Sequence, residues 1–430
     1  MILAIVFLLL CILLVIGLPV PFAFGAILLY LGWVAETDVA NFISSGHWRM
    51  NNIVLLAIPL FILSGSIMNR GKLAEPLVEI ASLFLGRIRG GLSAAAVLAS
   101  ALFGSISGSA AATLTCIGGV MLPRLHRANY PKGFSAALIA HSAPLGLLIP
   151  PSSIQIIYAW VTRQSVLKCF LATVVPGIIL ICLLCLVNFI MMRNRKEIEL
   201  EEAPESFVVE VRKRTFFATP ALLMPVIILG GIYGGVMTPT EAAAIGVLYS
   251  IPIGFWVYRG LNWHTFKDAV VESGTTIGAV MVMFFMVMIV SRLLVFEDIP
   301  GLAQQFIFSI SENPIVILLM INVVLVMIGM LMDDVSGVLL ASPLMLPMVR
   351  DLGIDPVQFA AIIGVNLGMG NITPPTAPLL YLGARVGGTS VSSMMKPTLI
   401  MIAFAWIPTL ILTTYIPEIS LALPNYVLGY

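Results

Sequence analysis

Two adjacent prolines interrupt an apolar run of membrane-spanning length at Pro150-Pro151, in HSAPLGLLIPPSSIQIIYAW (141–160). The same dipeptide interrupts a second run at Pro374-Pro375, in VNLGMGNITPPTAPLLYLGA (365–384). Proline has no N–H and its ring clashes with the carbonyl four residues back, so neither run can be one continuous helix. In hydrocarbon, unpaired backbone is tolerated only where it is buried in protein or lines a polar cavity. These runs are therefore restricted to broken helices whose freed backbone groups face something polar.

Composition agrees with a membrane solvent. Hydrophobic residues make up 60% of the chain and charged residues 10%, and mean hydropathy is +1.06. Soluble domains are about one quarter charged, so the chain reads as a polytopic, all-α membrane protein. A net charge of +1 leaves no basic face for a nucleic acid. Cys11, Cys116, Cys169, Cys182 and Cys185 lie in apolar segments without metal-ligand or disulfide spacing, and are expected to be buried and inert. The opening stretch MILAIVFLLLCILLVIG carries no basic residue, and the first charge is Glu36, so it reads as membrane structure rather than a cleaved leader. Thirty-five uncharged residues would make a helix about 50 Å long, too long for one straight crossing. Gly17, Pro19 and Pro21 are the expected break.

Apolar runs lie near 2–34, 51–68, 91–122, 133–160, 168–192, 215–236, 240–258, 274–296, 313–332, 335–349, 357–384 and 394–417. Between them, RNRKEIELEEAPESFVVEVRKR (193–214) has Arg193, Arg195 and Lys196 at one end and Arg212, Lys213 and Arg214 at the other. Basic residues at the membrane ends predict a cytoplasmic loop. FEDIPG (296–301) has acid without base and fits the outer face. The loop separates two similar halves. MLP at 121–123 matches MLP at 345–347, and the double prolines and the Gly146/Gly370 pair share the same offset of 224. Gly17 and Pro21 match Gly235 and Pro239 at 218. An internal repeat is predicted, with one half over 1–192, a connecting loop at 193–214 and the second half over 215–430. Repeated halves around broken helices are a pattern of secondary transporters.

A broken helix supplies two kinds of binding group. Freed carbonyls and nearby hydroxyls are hard oxygen ligands for a cation, and the half-helix that follows presents its positive end to an anion. FGSISGSAAATLTC (103–116) supplies hydroxyls at Ser105, Ser107, Ser109, Thr113 and Thr115. Gly104 and Gly108 suggest an unwound hairpin tip, although small residues also make tight helix-packing faces. The repeat-related stretch IGMLMDDVSGVLLASP (328–343) carries Gly329, Asp333, Asp334 and Ser336. Carboxylates inside an apolar run cost several kcal/mol unless compensated, which makes them candidates for function unless the tip faces water. Hairpins are expected near 91–122 and 313–349, and broken helices near 133–160 and 357–384.

The chain resembles the large membrane subunit of the tripartite ATP-independent periplasmic (TRAP) transporters. The resemblance rests on LLAIPLFILSGSIM (55–68), GSISGSAAAT (104–113), ANYPKGFSAALIA (128–140), LIPPS (148–152), TPTEAAAIGVLYS (238–250), GMLMD (329–333) and ITPP (372–375), in this order. It implies an inverted-repeat, elevator-type transporter in the bacterial inner membrane, with a scaffold and a moving domain of two re-entrant hairpins and two broken helices. It further implies sodium-driven uptake of a small organic anion, a four-helix small membrane subunit, and a soluble periplasmic substrate-binding protein. Two sodium ions are the implied cofactors, with no organic cofactor.

The resemblance places a first sodium site on Ser107, Ser109, Gly146, Ile149 and Pro151, and a second on Gly329, Gly370, Thr373 and Thr376. Asp333 falls beside the implied substrate cavity, and Ser152, Ser153, Asn371 and Arg385 are further substrate candidates. Arg385 could receive a carboxylate or snorkel to the interface. His141 reads as a packed core residue or a ligand, and Glu241 as a domain contact or a helix cap. The chain departs from the family pattern at SAPLGLLIPPSSIQ (142–155) and TPPTAP (373–378), both at the implied substrate cavity. A stand-alone symporter of similar fold is the alternative within transport. An intramembrane enzyme is a distant third, because the sequence has no HExxH, no acidic pairs spaced for metal-diphosphate chemistry and no Ser/His pair at a useful spacing.

Overall fold

The structure, a computed structural model, describes residues 5, 8–10, 12–13, 16–34, 39–200 and 206–429. Among them every regular element is helical. Seven of the described helices are long and apolar enough to cross a membrane. Lys132–Leu148 and Ser153–Thr162, bent by 42°, make an eighth span if counted as one. A helix pairs its own backbone groups, which is what a chain of this hydropathy requires in lipid.

The first hairpin pairs Gly91–Ser107 with Ala110–Arg127, and the second pairs Pro314–Leu331 with Asp334–Asp351. Each is followed by a broken helix: Lys132–Ser142, Leu145–Leu148 and Ser153–Thr162 in the first half, Pro356–Gly370 and Pro378–Val386 in the second. Both Pro-Pro peptide bonds, 150-151 and 374-375, are cis and lie in the breaks. Ala110–Arg127 and Asp334–Asp351 stand 224 residues apart at both ends (334 − 110 and 351 − 127), as do Thr162 and Val386.

The centre of the molecule is built from these elements. Every residue from Gly133 to Leu148 and from Val357 to Gly370 is buried, as expected of helices that are apolar on all sides. Tyr158 and Phe359 meet edge to face there at 6.3 Å. Around them, Phe207–Tyr233, Pro239–Val257 and Trp263–Phe296 expose Phe216, Val226, Leu248, Trp256 and Trp263 on their outer faces. Glu241 accepts from the backbone N–H of Thr238 at 2.8 Å and closes a capping box, so it caps the helix that begins at Pro239.

Several sequence expectations are corrected. The first hairpin tip is not unwound from Gly104 to Gly108. The helix runs through Gly104 to Ser107, and only Gly108 (φ +59°) and Ser109 turn the chain. The connecting loop is shorter than 193–214, because a helix already begins at Phe207. Arg214 donates to Glu210 one turn earlier on that helix at 2.7 Å, and the guanidinium of Arg87, from outside the segment, lies 4.5 Å from the Phe207 ring centre. The apolar run at 274–296 belongs to a helix starting at Trp263, where Asn262 and Thr265 form a capping box. Near the N-terminus the chain turns at Gly17 (φ +87°), and Pro21 sits in the first turn of Val20–Val34, where proline is tolerated. Cys116 and Cys169 are buried, whereas Cys182 is exposed and Cys185 half-buried; Cys11 lies outside the described residues.

Candidate functional site

Each hairpin meets its own broken helix at glycines. A Cβ built on Gly104 would fall 2.5 Å from the Gly146 Cα, and one on Gly370 would fall 2.7 Å from the Gly329 Cα. This backbone-to-backbone approach brings main-chain oxygens together, since no side chain separates the two elements.

In the first half, the Thr113 hydroxyl donates to the Ser109 carbonyl at 2.8 Å. The Ser107 hydroxyl reaches the same carbonyl at 3.4 Å and Thr113 Oγ1 at 3.1 Å. Gly146 faces this group, since its Cβ position is 3.1 Å from Thr113 Oγ1 and 3.4 Å from the Ser109 carbonyl. The Pro151 carbonyl is 3.1 Å from the Cβ position of Gly108, and Ser153 donates to the Gly108 carbonyl at 2.9 Å. Ser107, Ser109, Gly146 and Pro151 are thus brought together. The Ile149 side chain turns to the opposite side, against Gly177. Ser152 is fully buried and its hydroxyl has no hydrogen-bond partner among the described residues.

The second half repeats the arrangement. Thr376 donates to the Met330 carbonyl, and Thr373 donates to the Met369 carbonyl at 2.6 Å. Gly329, Gly370 and Thr376 meet where Gly370 abuts the Val326 carbonyl, 2.6 Å from its Cβ position. Thr373 turns its hydroxyl onto its own helix. Asn371 donates its amide to Asp334 across the gap between broken helix and hairpin. Asp333 caps Asp334–Asp351, accepting from the N–H groups of Val335 at 3.1 Å and Ser336 at 3.4 Å and from the Ser336 hydroxyl at 2.6 Å.

Neutral hydroxyl and carbonyl oxygens are hard ligands, the donor set for an alkali or alkaline-earth cation rather than a soft metal. Among the described residues no three His, Cys, Asp or Glu gather into a metal-binding cluster. The two clusters, with their glycine cradles, therefore have the donor chemistry of a hard-cation site.

Between the two clusters lies a cavity of about 450 Å³. Ser107, Ser109, Ser153, Asp333, Asp334 and Asn371 line its inner wall, and Ser66, Asn69, Glu272 and Thr276 its outer wall. Four helices begin at this cavity: those starting at Ala110, Ser153, Asp334 and Pro378 each contribute lining residues from their first turn. Their positive dipole ends favour an anion, while first-turn N–H groups of three of them already donate to Ser109, Asp333 and Asn371. The lining side chains among the described residues carry the opposite bias, with three carboxylates (Glu272, Asp333, Asp334) and no Lys, Arg or His. Arg385 does not line the cavity; it is exposed in the last turn of Pro378–Val386. His141 is fully buried in the core.

The scaffold side of the cavity was not singled out from sequence. Glu272 and Thr276 lie one helical turn apart on Trp263–Phe296, so a polar i, i+4 stripe on an otherwise apolar helix was the available signal. Thr113 was noted only as a hydroxyl, although it ties the first cluster together.

The family profile described as "Tripartite ATP-independent periplasmic transporter, DctM component" matches residues 6–419. The chain is similar to the C4-dicarboxylate TRAP transporter large permease protein DctM of Pseudomonas aeruginosa, at 37% identity over 91% of this chain and 90% of that protein. It is 32% identical to the sialic acid TRAP transporter large permease protein SiaM of Vibrio cholerae, over 96% of each. Among solved structures it shares its fold with the YdaH transporter of Alcanivorax borkumensis (TM-score 0.57, 17% identity, 88% of each chain).

Proposed function

The chain belongs to the family of the tripartite ATP-independent periplasmic transporter DctM component, and on that premise we propose that it carries organic acids into the cell together with sodium ions. It is a multi-pass protein of the inner membrane. The related permeases named for C4-dicarboxylates and sialic acid support carboxylic acids as the substrate class.

The observation that carries the reading is the opposition inside the cavity. Four helix N-termini attract an anion, each by roughly 0.3–1 kcal/mol. Asp333 and Asp334 repel it, and one unit-charge pair at 4 Å costs about 4 kcal/mol at an effective dielectric of 20. Cations held in the adjacent oxygen clusters offset that repulsion. Sodium and the organic acid then raise each other's affinity by the same factor, which is the thermodynamic content of coupling.

The moving unit in this reading comprises both hairpins and both broken helices. Gln155 Nε2 donates to the Ala360 carbonyl at 3.1 Å and the Tyr158 hydroxyl to the Pro356 carbonyl at 2.6 Å, joining the two halves. Sliding of that unit past Ala57–Arg70 and Trp263–Phe296 would alternate access without disturbing the cation ligands. A small membrane subunit holds the scaffold, and a periplasmic binding protein delivers the acid.

The test is uptake by the complete three-part assembly in proteoliposomes. A sodium gradient should drive accumulation of succinate or N-acetylneuraminate, and replacing sodium by choline should abolish it. Uptake indifferent to that replacement refutes coupling, and robust uptake by this chain alone makes it a stand-alone symporter.

A further inference from the structure

None of the described residues lining the cavity is a cation, yet one of its carboxylates is bonded to one. Arg70, the last residue of Ala57–Arg70, donates to Glu272 from Nε at 3.1 Å and from Nη2 at 2.7 Å. Both bonds fall on the same oxygen, Oε2, so the guanidinium fork is not matched by two carboxylate oxygens as in a full bidentate pair. Nη1 stands 3.8 Å from Asp268. The two side chains are 36% and 56% exposed, and ion pairs of this kind are weak enough to exchange partners.

The position of the pair gives it a route to the substrate. Asp268, Glu272, Thr276 and Val280 follow one another at single-turn spacing on Trp263–Phe296, and the last three line the cavity. Arg70 therefore sits at one end of a stripe that runs into the cavity. That end carries Lys72, Arg259 and Lys267, with Gly260 packed on Gly71 and Lys72. A concentration of basic residues marks the cytoplasmic side.

We propose that Arg70 takes the carboxylate of the substrate as it leaves the cavity toward the cytoplasm, and that Glu272 then displaces it. One guanidinium exchanges one carboxylate for another, and the returning Glu272 favours release over rebinding. The inference rests on the organic-acid reading of the cavity. It differs from a structural salt bridge in a checkable way: a strut fails alike when either partner is removed, whereas an exchange device responds with opposite signs.

The experiment compares Arg70→Gln, Arg70→Lys and Glu272→Gln in the complete assembly, with succinate and N-acetylneuraminate as probes. Glu272→Gln should lower KM and kcat together, by up to about fivefold, the range an exposed ion pair spans. Arg70→Gln should raise KM about tenfold or more through loss of charged hydrogen bonds, with Arg70→Lys between it and wild type and sodium dependence unchanged. Parallel losses in both single variants, with equal falls in thermal stability, would overturn the proposal. A second arm needs no transport: phenylglyoxal modification of Arg70 in the purified chain, followed by mass spectrometry. Glu272→Gln should speed modification, and acetate should slow it relative to chloride at equal ionic strength. If neither probe is taken up but the labelling behaves so, the transported class is wrong and the carboxylate site stands. Labelling indifferent to both acetate and Glu272→Gln refutes the site whatever uptake shows.

Discussion

Gly104 and Gly146 touch backbone to backbone, with a Cβ on Gly104 falling 2.5 Å from the Gly146 Cα and 2.7 Å from its N. Neither backbone can rotate away as a side chain would, so the contact dictates glycine at 104. The same constraint applies at Gly370 against Gly329. Through these contacts the hairpin carbonyls reach the breaks in the adjacent helices.

Gly104→Ala and Gly370→Ala should therefore lower thermal stability in detergent by about 1–3 kcal/mol, the cost of overpacking, and abolish uptake. Gly119→Ala, on the same hairpin with nothing within 4 Å of its Cβ position, is the control and should unfold like wild type. Equal behaviour of Gly104→Ala and Gly119→Ala would show that the hairpin contact is dispensable.

Thr113→Val removes a hydroxyl of almost unchanged shape, and with it the 2.8 Å bond to the Ser109 carbonyl. If the first cluster holds sodium, the concentration for half-maximal uptake should rise about tenfold, corresponding to roughly 1–3 kcal/mol for a lost oxygen contact to a charge. Ser107→Ala should act in the same direction. Unchanged sodium dependence in both would move the ion elsewhere.

Asp333 has two separable roles, as a helix cap and as a cavity charge. Asp333→Ala should cost about 1 kcal/mol of stability as the N–H groups of Val335 and Ser336 lose their acceptor. Asp333→Asn keeps a capping oxygen and removes the charge, so it should melt like wild type while changing affinity for sodium and substrate. Unfolding and uptake measured on the two variants distinguish the roles; an Asn variant transporting like wild type would leave only the cap.

Paired cysteines in a background free of native ones test the moving unit. Gln155→Cys with Ala360→Cys joins two parts of that unit, where the Gln155 amide reaches the Ala360 carbonyl at 3.1 Å. Trp160→Cys with Phe284→Cys joins the unit to Trp263–Phe296, where the native ring centres are 5.4 Å apart. Bridging each pair with a short, cleavable bifunctional thiol reagent, which spans the gap left by the truncated side chains, should spare uptake in the first pair and stop it reversibly in the second. Arrest by the first bridge, with sodium binding retained, would favour a local-gating mechanism.

The helices, the breaks and the two hairpins were legible in the sequence because each is decided locally. Proline removes a donor wherever it stands, and lipid leaves a chain this apolar little choice but helix. Bounds were less legible where charge was paired rather than solvated, as at Glu210 with Arg214, which carries a helix back into the expected loop. Cap chemistry was readable at Thr238 and Glu241 because both partners lie within one turn.

What the tertiary structure decided is which of these groups meet. Ser109 and Thr113 are four residues apart and their bond is local, but the approach of Gly146 to them joins separate elements. Arg70 and Glu272 lie 202 residues apart, and no local pattern pairs them. Arg385, a candidate on charge alone, is on an exposed turn, while Glu272, Ser66 and Asn69 supply the opposite wall of the cavity. By itself the sequence determined that this chain is helical, lipid-solvated and broken at two related places, because hydropathy and proline act on the nearest few residues. The cavity, its four converging helix ends and the meeting of its three carboxylates came from packing, because they depend on distances between elements that only the folded chain brings together.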